Sequence, residues 1–270
     1  MGYPVICIVG AHPDDCEVHA GGSAARWSEN GADVHFISIT NGQAGHHEQG
    51  KDDLVKRREK EALQAASVIN ASYYNLGAPD GYLEANLEYR MKLIRLLRSI
   101  RPDVVITNRP QDYHPDHRYT SRLVLDTAFL LMVPNIVEDA PILESNPVFL
   151  FWYDRFISPS PFVPDFFVDI TGSMSRKMAM LHCHESQFFE WLPWLQNILP
   201  QVPKNSHERE TWLYQFYSTY YSQIDVSSWK KELTQQFGDI HVSHIKHVEA
   251  FAWCQYGGTL TEGLRSHLAI

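Results

Sequence analysis

Cysteine is scarce in this sequence of 270 residues: Cys7, Cys16, Cys183 and Cys254 are scattered, with no C-x-x-C pair. That excludes a disulfide framework and a thiolate metal cage, and it suits a reducing compartment such as the cytoplasm. Basic charge is also short, with 23 Lys and Arg against 32 Asp and Glu and a net charge of -9. Without a basic stripe, nucleic acid is excluded as the main partner. No apolar run approaches the roughly 20 residues that cross a bilayer, so no membrane span is expected. A basic segment followed by an apolar one is missing near Met1, where strand-type residues begin at once, and no secretory leader is expected. Met1-Gly2 fails as a myristoylation signal because Ile6 stands where Ser or Thr is needed. The G-x-G-x-x-G dinucleotide fingerprint is absent too, since Gly21-Gly22 lacks its spacing. Hydrophobic residues make up 44% and charged residues 20%, enough for an ordinary globular core.

What the sequence does have is an ordered alternation of elements. Residues 5–9 read as a buried strand ending in Gly10-Ala11, with Cys7 facing the core. Residues 20–30 read as a helix closed by Gly31, and 34–39 as a second strand. After the loop 40–50, residues 52–68 predict a helix with Leu54, Ala62, Leu63 and Ala66 on its apolar side. Residues 73–76 predict a short strand, 87–100 a strongly periodic helix stopped by Arg101-Pro102, and 103–107 another strand. Such alternation implies a mostly parallel α/β sheet of Rossmann-like topology, with right-handed crossovers and helices on both faces.

The second half is less regular. The proline-rich stretch 134–164 leads into strands at 148–153 and 166–170. A helix capped by Thr171 or Ser173 follows, running through 180–184. Residues 191–195 and 199–203 read as loop, 207–222 and 227–236 as helix, and 248–253 as either strand or helix. One domain over 1–270 is expected, with an α/β core at 1–133 and a C-terminal, substrate-side elaboration at 134–270.

Two clusters of histidine and aspartate fall just after predicted parallel strands. His12-Pro13-Asp14-Asp15 follows the first strand, and Tyr113-His114-Pro115-Asp116-His117 follows 103–107. In open α/β sheets ligands bind beyond the carboxyl ends of the strands, so both clusters reach one sheet edge. A turn brings positions i and i+3 together, letting His12 and Asp15 face one point while Asp14 projects elsewhere. His114-x-x-His117 repeats that spacing. Three ligands drawn from these four positions, plus a water, match an open catalytic zinc site, and a spare carboxylate suits a general base. Either segment alone would read as a turn with a capping aspartate. Both together, each after a strand, point to a metal. His46-His47 reads as a surface or substrate-lining loop, and His19 and His35 as structural or exposed. His182 and His184, two apart on a predicted helix, point in different directions.

Ala11-His12-Pro13-Asp14-Asp15 taken with His114-Pro115-Asp116-His117 resembles the paired motifs of the PIG-L/LmbE-type zinc-dependent N-deacetylases, which act on N-acetylglucosaminyl compounds. Weaker likenesses lie at Asn41-Gly42-Gln43-Ala44-Gly45, Arg57-Arg58-Glu59, Leu76-Gly77-Ala78-Pro79-Asp80-Gly81, His184-Glu185-Ser186-Gln187 and Val248-Glu249-Ala250-Phe251. The resemblance implies one zinc per chain, or iron or another divalent ion in its place, at His12, Asp15 and His117. It also implies Asp14 as general base and His114 as the group that stabilises the oxyanion. For substrate binding it implies Arg57 or its neighbour Arg58, and Asp80; these also read as a helix charge and a turn residue. The implied activity is removal of an acetyl group from an N-acetylglucosamine-type amide, the partner being a small amino sugar or glycoconjugate.

Two other readings stand beside it. One is amide cleavage on a thiol conjugate or glycopeptide acyl chain; the other is a non-catalytic, metal-containing sugar-binding or regulatory protein, for which an intact Asp14 has no use. The aromatic segment Trp191, Trp194, Trp212, Tyr214, Phe216, Tyr217, Tyr220 and Tyr221 reads mainly as core. Sugar stacking or a homo-oligomer contact are its other uses, and it leaves the substrate open.

Overall fold

The computed structural model describes residues 2–222 and 224–269. Its first half runs β1 (Val5–Gly10), α1 (Asp15–Glu29), β2 (Asp33–Thr40), α2 (Lys51–Ser67), β3 (Ser72–Ala78), α3 (Leu87–Ile100), β4 (Val104–Thr107) and α4 (Pro115–Leu130). The second half adds β5 (Val148–Trp152), β6 (Phe166–Asp169), α5 (Met174–Cys183), a π-helical turn (Ser186–Trp191), α6 (Leu192–Leu195), α7 (Ser206–Tyr220), α8 (Lys230–Phe237), α9 (Asp239–Val242), β7 (Val248–Cys254) and α10 (Glu262–Leu268). The strands form one sheet in the order β3-β2-β1-β4-β5-β7-β6. β3, β2, β1, β4 and β5 are mutually parallel, and β7 runs antiparallel to both its neighbours. The α/β sheet read from the alternation is therefore present, with an antiparallel extension.

Strand alternation sorts the core onto the two faces of the sheet. Ile6, Ile8, Phe36, Val104 and Ile106 face Ala20, Ala24 and Trp27 of α1, and helices α5 and α7 cover the same face. Cys7, Val9, Ile37, Ile39 and Val105 face Leu93, Ile94 and Leu97 of α3 and Leu123 and Val124 of α4. A central parallel strand is apolar on both sides because helices cover both. Helix α3 coincides with the predicted 87–100: the Asn86 side chain caps the Tyr89 amide, and Arg101 turns left-handed (φ 62°) before Pro102.

Three differences from the sequence expectation matter. α1 begins at Asp15, five residues before the predicted 20, and α4 was not foreseen at all. Both histidine motifs are thus helix starts rather than free-standing turns. His114 is an N-cap whose imidazole accepts the Asp116 amide, with Pro115 at the first helical position, where proline's missing N–H is harmless. Residues 186–195, read partly as loop, form the π-turn and α6, with Pro193 tolerated near the helix start. Residues 248–253, readable as strand or helix, are β7, and the second half supplies three strands, β5, β6 and β7, to the sheet. Among the described residues no helix is long and apolar enough to cross a membrane.

Candidate active site

The chain winds outward from β1 to β3 on one side, then returns to β4 beside β1 and continues to β5. The switch point therefore lies between β1 and β4, whose following loops part to opposite faces and leave a crevice. The two histidine motifs occupy those loops, and the positive N-terminal ends of α1 and α4 face the crevice with them. Their rings meet: His12 lies 4.7 Å from His114 and 5.1 Å from His117, centroid to centroid. Gly10 permits this closure, because a Cβ there would stand 2.5 Å from the Asp15 Cβ.

Three groups of potential ligand atoms share His12. His12–His114–His117 and His12–Asp80–Asp116 each bring their atoms within 4.8 Å of one another. A tighter set joins His12 Nδ1 and His117 Nε2, 3.2 Å apart, with an Asp15 carboxylate oxygen at 3.5 and 3.6 Å from them. Ligands about 2.0–2.1 Å from a tetrahedral zinc lie about 3.3 Å from each other, so this set has a suitable span.

Proton placement favours the same set. His12 Nε2 faces Asp80 at 3.2 Å and Asp116 at 3.6 Å, so its N–H points to carboxylates and the Nδ1 lone pair points into the crevice. His117 Nδ1 faces Asp112 at 3.1 Å, which turns its Nε2 lone pair inward. Two lone pairs and a carboxylate oxygen at such distances repel unless a positive charge sits among them. Burial opposes ionisation of Asp15, but the neighbouring His117 and His12 outweigh it and hold the carboxyl well below its ordinary range. The Ala11 and His12 amides, each 2.8 Å away, anchor that carboxylate. The Asp80 and Asp116 carboxylates are already occupied by the amides of Ala44, Gly81 and Leu83, which makes them orienting groups for His12.

Asp14 stands apart from the trio. Burial raises its proton affinity, and Arg58, with Nη2 3.1 Å from Oδ1, offsets this in part. His114 keeps its pKa low because burial and the nearby His12 and His117 disfavour a further positive charge. Its Nδ1 accepts the Asp116 amide, so the proton of the neutral ring is on Nε2, a donor.

Arg58, rather than Arg57, is on the crevice wall. Leu54, Arg58, Glu61, Ala62 and Ala65 form the buried stripe of α2, and Arg57 lies off it, paired with Glu190 at 2.6 Å and with Glu61. Extending the apolar phase from Leu54 by four residues would have selected Arg58. Gly42, at φ 70°, makes room for it: a Cβ would stand 2.6 Å from Arg58 Nη1. Asp112 and Asp116 carry no assigned role in the sequence reading, which left Arg58 as an alternative to Arg57. The requirement that each ligand histidine have a partner for its second nitrogen would have drawn attention to both aspartates.

The crevice opens into a cavity of about 700 Å³ lined by His12, Asp14, Asp15, Arg58, Asp80, His114 and His117. Tyr113, Phe156, Trp191, Tyr220 and Tyr221 line it as well, Tyr113 edge-on to His114 and His117. Of the aromatic segment, Phe216 and Tyr217 are buried in the core, whereas Trp191, Tyr220 and Tyr221 reach the cavity. The loop carrying Phe156 is tied to the end of β4 by the buried, two-pronged Arg109–Asp154 ion pair. His19 stacks flat on Trp152 at 4.9 Å.

Residues 7–128, which include both histidine motifs, match the family PIG-L: GlcNAc-PI de-N-acetylase. The diacetylchitobiose deacetylase of Thermococcus kodakarensis is 29% identical over 220 residues, covering 76% of this chain and 79% of that protein. The structure of N,N'-diacetylchitobiose deacetylase from Pyrococcus horikoshii superposes with a TM-score of 0.69 at 23% identity, covering 97% of this chain and 88% of that one. The 4-carboxy-2-hydroxymuconate hydratase of Pseudomonas putida KT2440 superposes with a TM-score of 0.72 at 19% identity, covering 96% and 98%. Over residues 7–128 the chain is thus similar to the PIG-L family, and its fold is one shared by deacetylase and hydratase structures.

Proposed function

We propose that this protein is a metal-dependent N-deacetylase that hydrolyses the acetamide of an N-acetylglucosamine-type sugar. The observation that carries the reading is the inward convergence of His12 Nδ1, His117 Nε2 and an Asp15 oxygen, with a separate buried carboxylate, Asp14, beside them. His12, Asp15 and His117 would hold one zinc ion. When bound, that ion lowers the pKa of its water to about 7 and polarises the amide carbonyl.

The chain's own groups supply the remaining chemistry. Asp14 removes the proton of the attacking water, and Arg58 keeps its carboxylate aimed at the cavity. His114 donates from Nε2 to the oxyanion that forms on the acetyl carbon, its other nitrogen being tied to the Asp116 amide. As the C–N bond breaks, the proton held by Asp14 passes to the leaving amine, which gives acetate and the free amino sugar. Asp80 serves as an orienting partner of His12 and as a wall of the sugar pocket. We place the protein in the cytoplasm, in keeping with its four unpaired cysteines.

The test is acetate release from N-acetylglucosamine and N,N'-diacetylchitobiose, with and without chelator, beside hydration of an enol dicarboxylate. Chelator-sensitive acetate release is expected. Hydration without acetate release would assign the chain to the other chemistry of this fold.

A further inference from the structure

We propose that His19 sets the acyl-chain length this protein accepts: it closes a side pocket off the cavity and confines the reaction to an acetyl-sized group. This rests on the deacetylase reading and names the residue that decides which acyl amides fit. Helix α1 places His19 one turn after Asp15, and both line the cavity. The His19 ring lies flat on Trp152, 4.9 Å away with planes within 2°. Trp152, at the end of β5, is packed into the core and 3% exposed, so the imidazole is backed by a fixed wall. Behind it lies a pocket of about 30 Å³. His19, Val18 and Tyr221 line both this pocket and the cavity, and so stand between the two.

The direction of the acyl group follows from the groups around it. Asp14 stands where water attacks, His114 donates to the acyl oxygen, and the sugar needs the open side of the cavity. The acyl carbon chain is left the closed side, where Val18, His19 and Trp152 offer carbon faces near Asp15. Tyr113, the other ring beside the histidines, is 75% exposed and belongs to the open side. An acetyl methyl ends at the stacked pair, whereas a butyryl chain runs into it. The side pocket would take the excess if the ring were absent. Ile170, Met174 and Val248 give it carbon surface, and its buried ion pair is already satisfied. Lys177 Nζ contacts a Glu249 oxygen at 2.5 Å and donates to the Val18 carbonyl at 2.8 Å, while the Gly22 and Ser23 amides donate to the Glu249 carboxylate. A water-sized group requires about 10–15 Å³, so the pocket has room for about two methylenes and for no further headgroup.

The test pairs hydrolysis of N-acetyl- and N-butyrylglucosamine with calorimetric binding of acetohydroxamate and butyrohydroxamate to the zinc-loaded protein. In wild type the butyryl sugar should be poorer by about tenfold or more in kcat/KM, and butyrohydroxamate should bind no tighter than acetohydroxamate. His19→Ala and His19→Ser remove the ring and should raise the butyryl-to-acetyl ratio about tenfold in both measurements, the effect of burying two methylenes. His19→Phe restores a stacked ring and should return the wild-type ratio; circular dichroism identifies any variant that unfolds. A ratio unchanged in whichever small variant folds overturns the proposal. Wild type that treats both chain lengths alike overturns it without any variant. The two readings fail separately. Equal kcat/KM on both sugars sinks the acyl-length role and leaves the deacetylase standing; no release from either, with the hydroxamate ratios as expected, sinks the deacetylase and leaves the role of His19.

Discussion

The floor of the cavity, at the β1–β4 edge, and the wall across it, built by residues 186–221, are held in different ways. On the floor, ionisable side chains have assigned polar partners: His12 has Asp80, His117 has Asp112, His114 has the Asp116 amide, and Asp14 has Arg58. On the wall, ring faces stack and stay partly open to solvent, as Trp191 and Trp194 do. Directional bonds at a buried floor set protonation and lone-pair direction, which chemistry requires. A stacked wall sets only shape and apolar area, which suits recognition and tolerates variation. The wall is tied to α2, the helix that carries Arg58, through the buried Glu61, which accepts both the amide and the hydroxyl of Ser186 and also pairs with Arg57.

This contrast predicts effects of graded size. Chelation should abolish acetate release, and added zinc should restore it, while sugar-induced quenching of tryptophan fluorescence persists because the wall needs no metal. Asp14→Asn should lower kcat by about 10²–10⁴-fold with the bound zinc retained, measured by elemental analysis beside kinetics. A fall of only a few-fold would remove Asp14 from the base role. Asp112→Asn, which takes the carboxylate from His117 Nδ1, should weaken zinc binding by about 10–100-fold in competition with a chelating dye. Gly42→Ala puts a Cβ at φ 70° against Arg58. It should cost about 1–2 kcal/mol and lower Tm by roughly 2–8 °C in calorimetry. Glu61→Gln should raise KM about fivefold, the effect of losing about 1 kcal/mol of hydrogen bonding at the joint, with kcat changed less. If kcat fell more than KM rose, floor and wall would not be separable.

Much of the floor was legible because its residues are local. His12 to Asp15 and His114 to His117 each lie within one turn, and strand alternation alone sends both to one edge. The same local reading mistook helix starts for turns. Histidine and proline before a helix look like a stop, and only the hydrogen bond from the Asp116 amide to His114 marks a cap. The choice between Arg57 and Arg58 required the rotational phase of α2, set by packing of Leu54 and Ala62 against the core. The wall was least legible. Trp191, Trp212 and Phe216 share a segment and a composition, yet one lines the cavity and Phe216 is buried in the core. The π-turn carries Trp191 to the cavity, whereas α7 turns Phe216 into the core.

The sequence by itself determined the α/β alternation, the two histidine motifs and their common sheet edge, because these depend on periods of two and 3.6 residues and on short spacings. Only the tertiary structure decided which nitrogen of each histidine turns inward and which aromatics line the cavity, and it fixed Arg58 rather than Arg57 as the arginine that reaches Asp14. Those choices rest on partners between 5 and some 130 residues away in sequence, such as Asp112 for His117 and Glu190 for Arg57. Local propensity does not encode such pairings; a closed, packed core does.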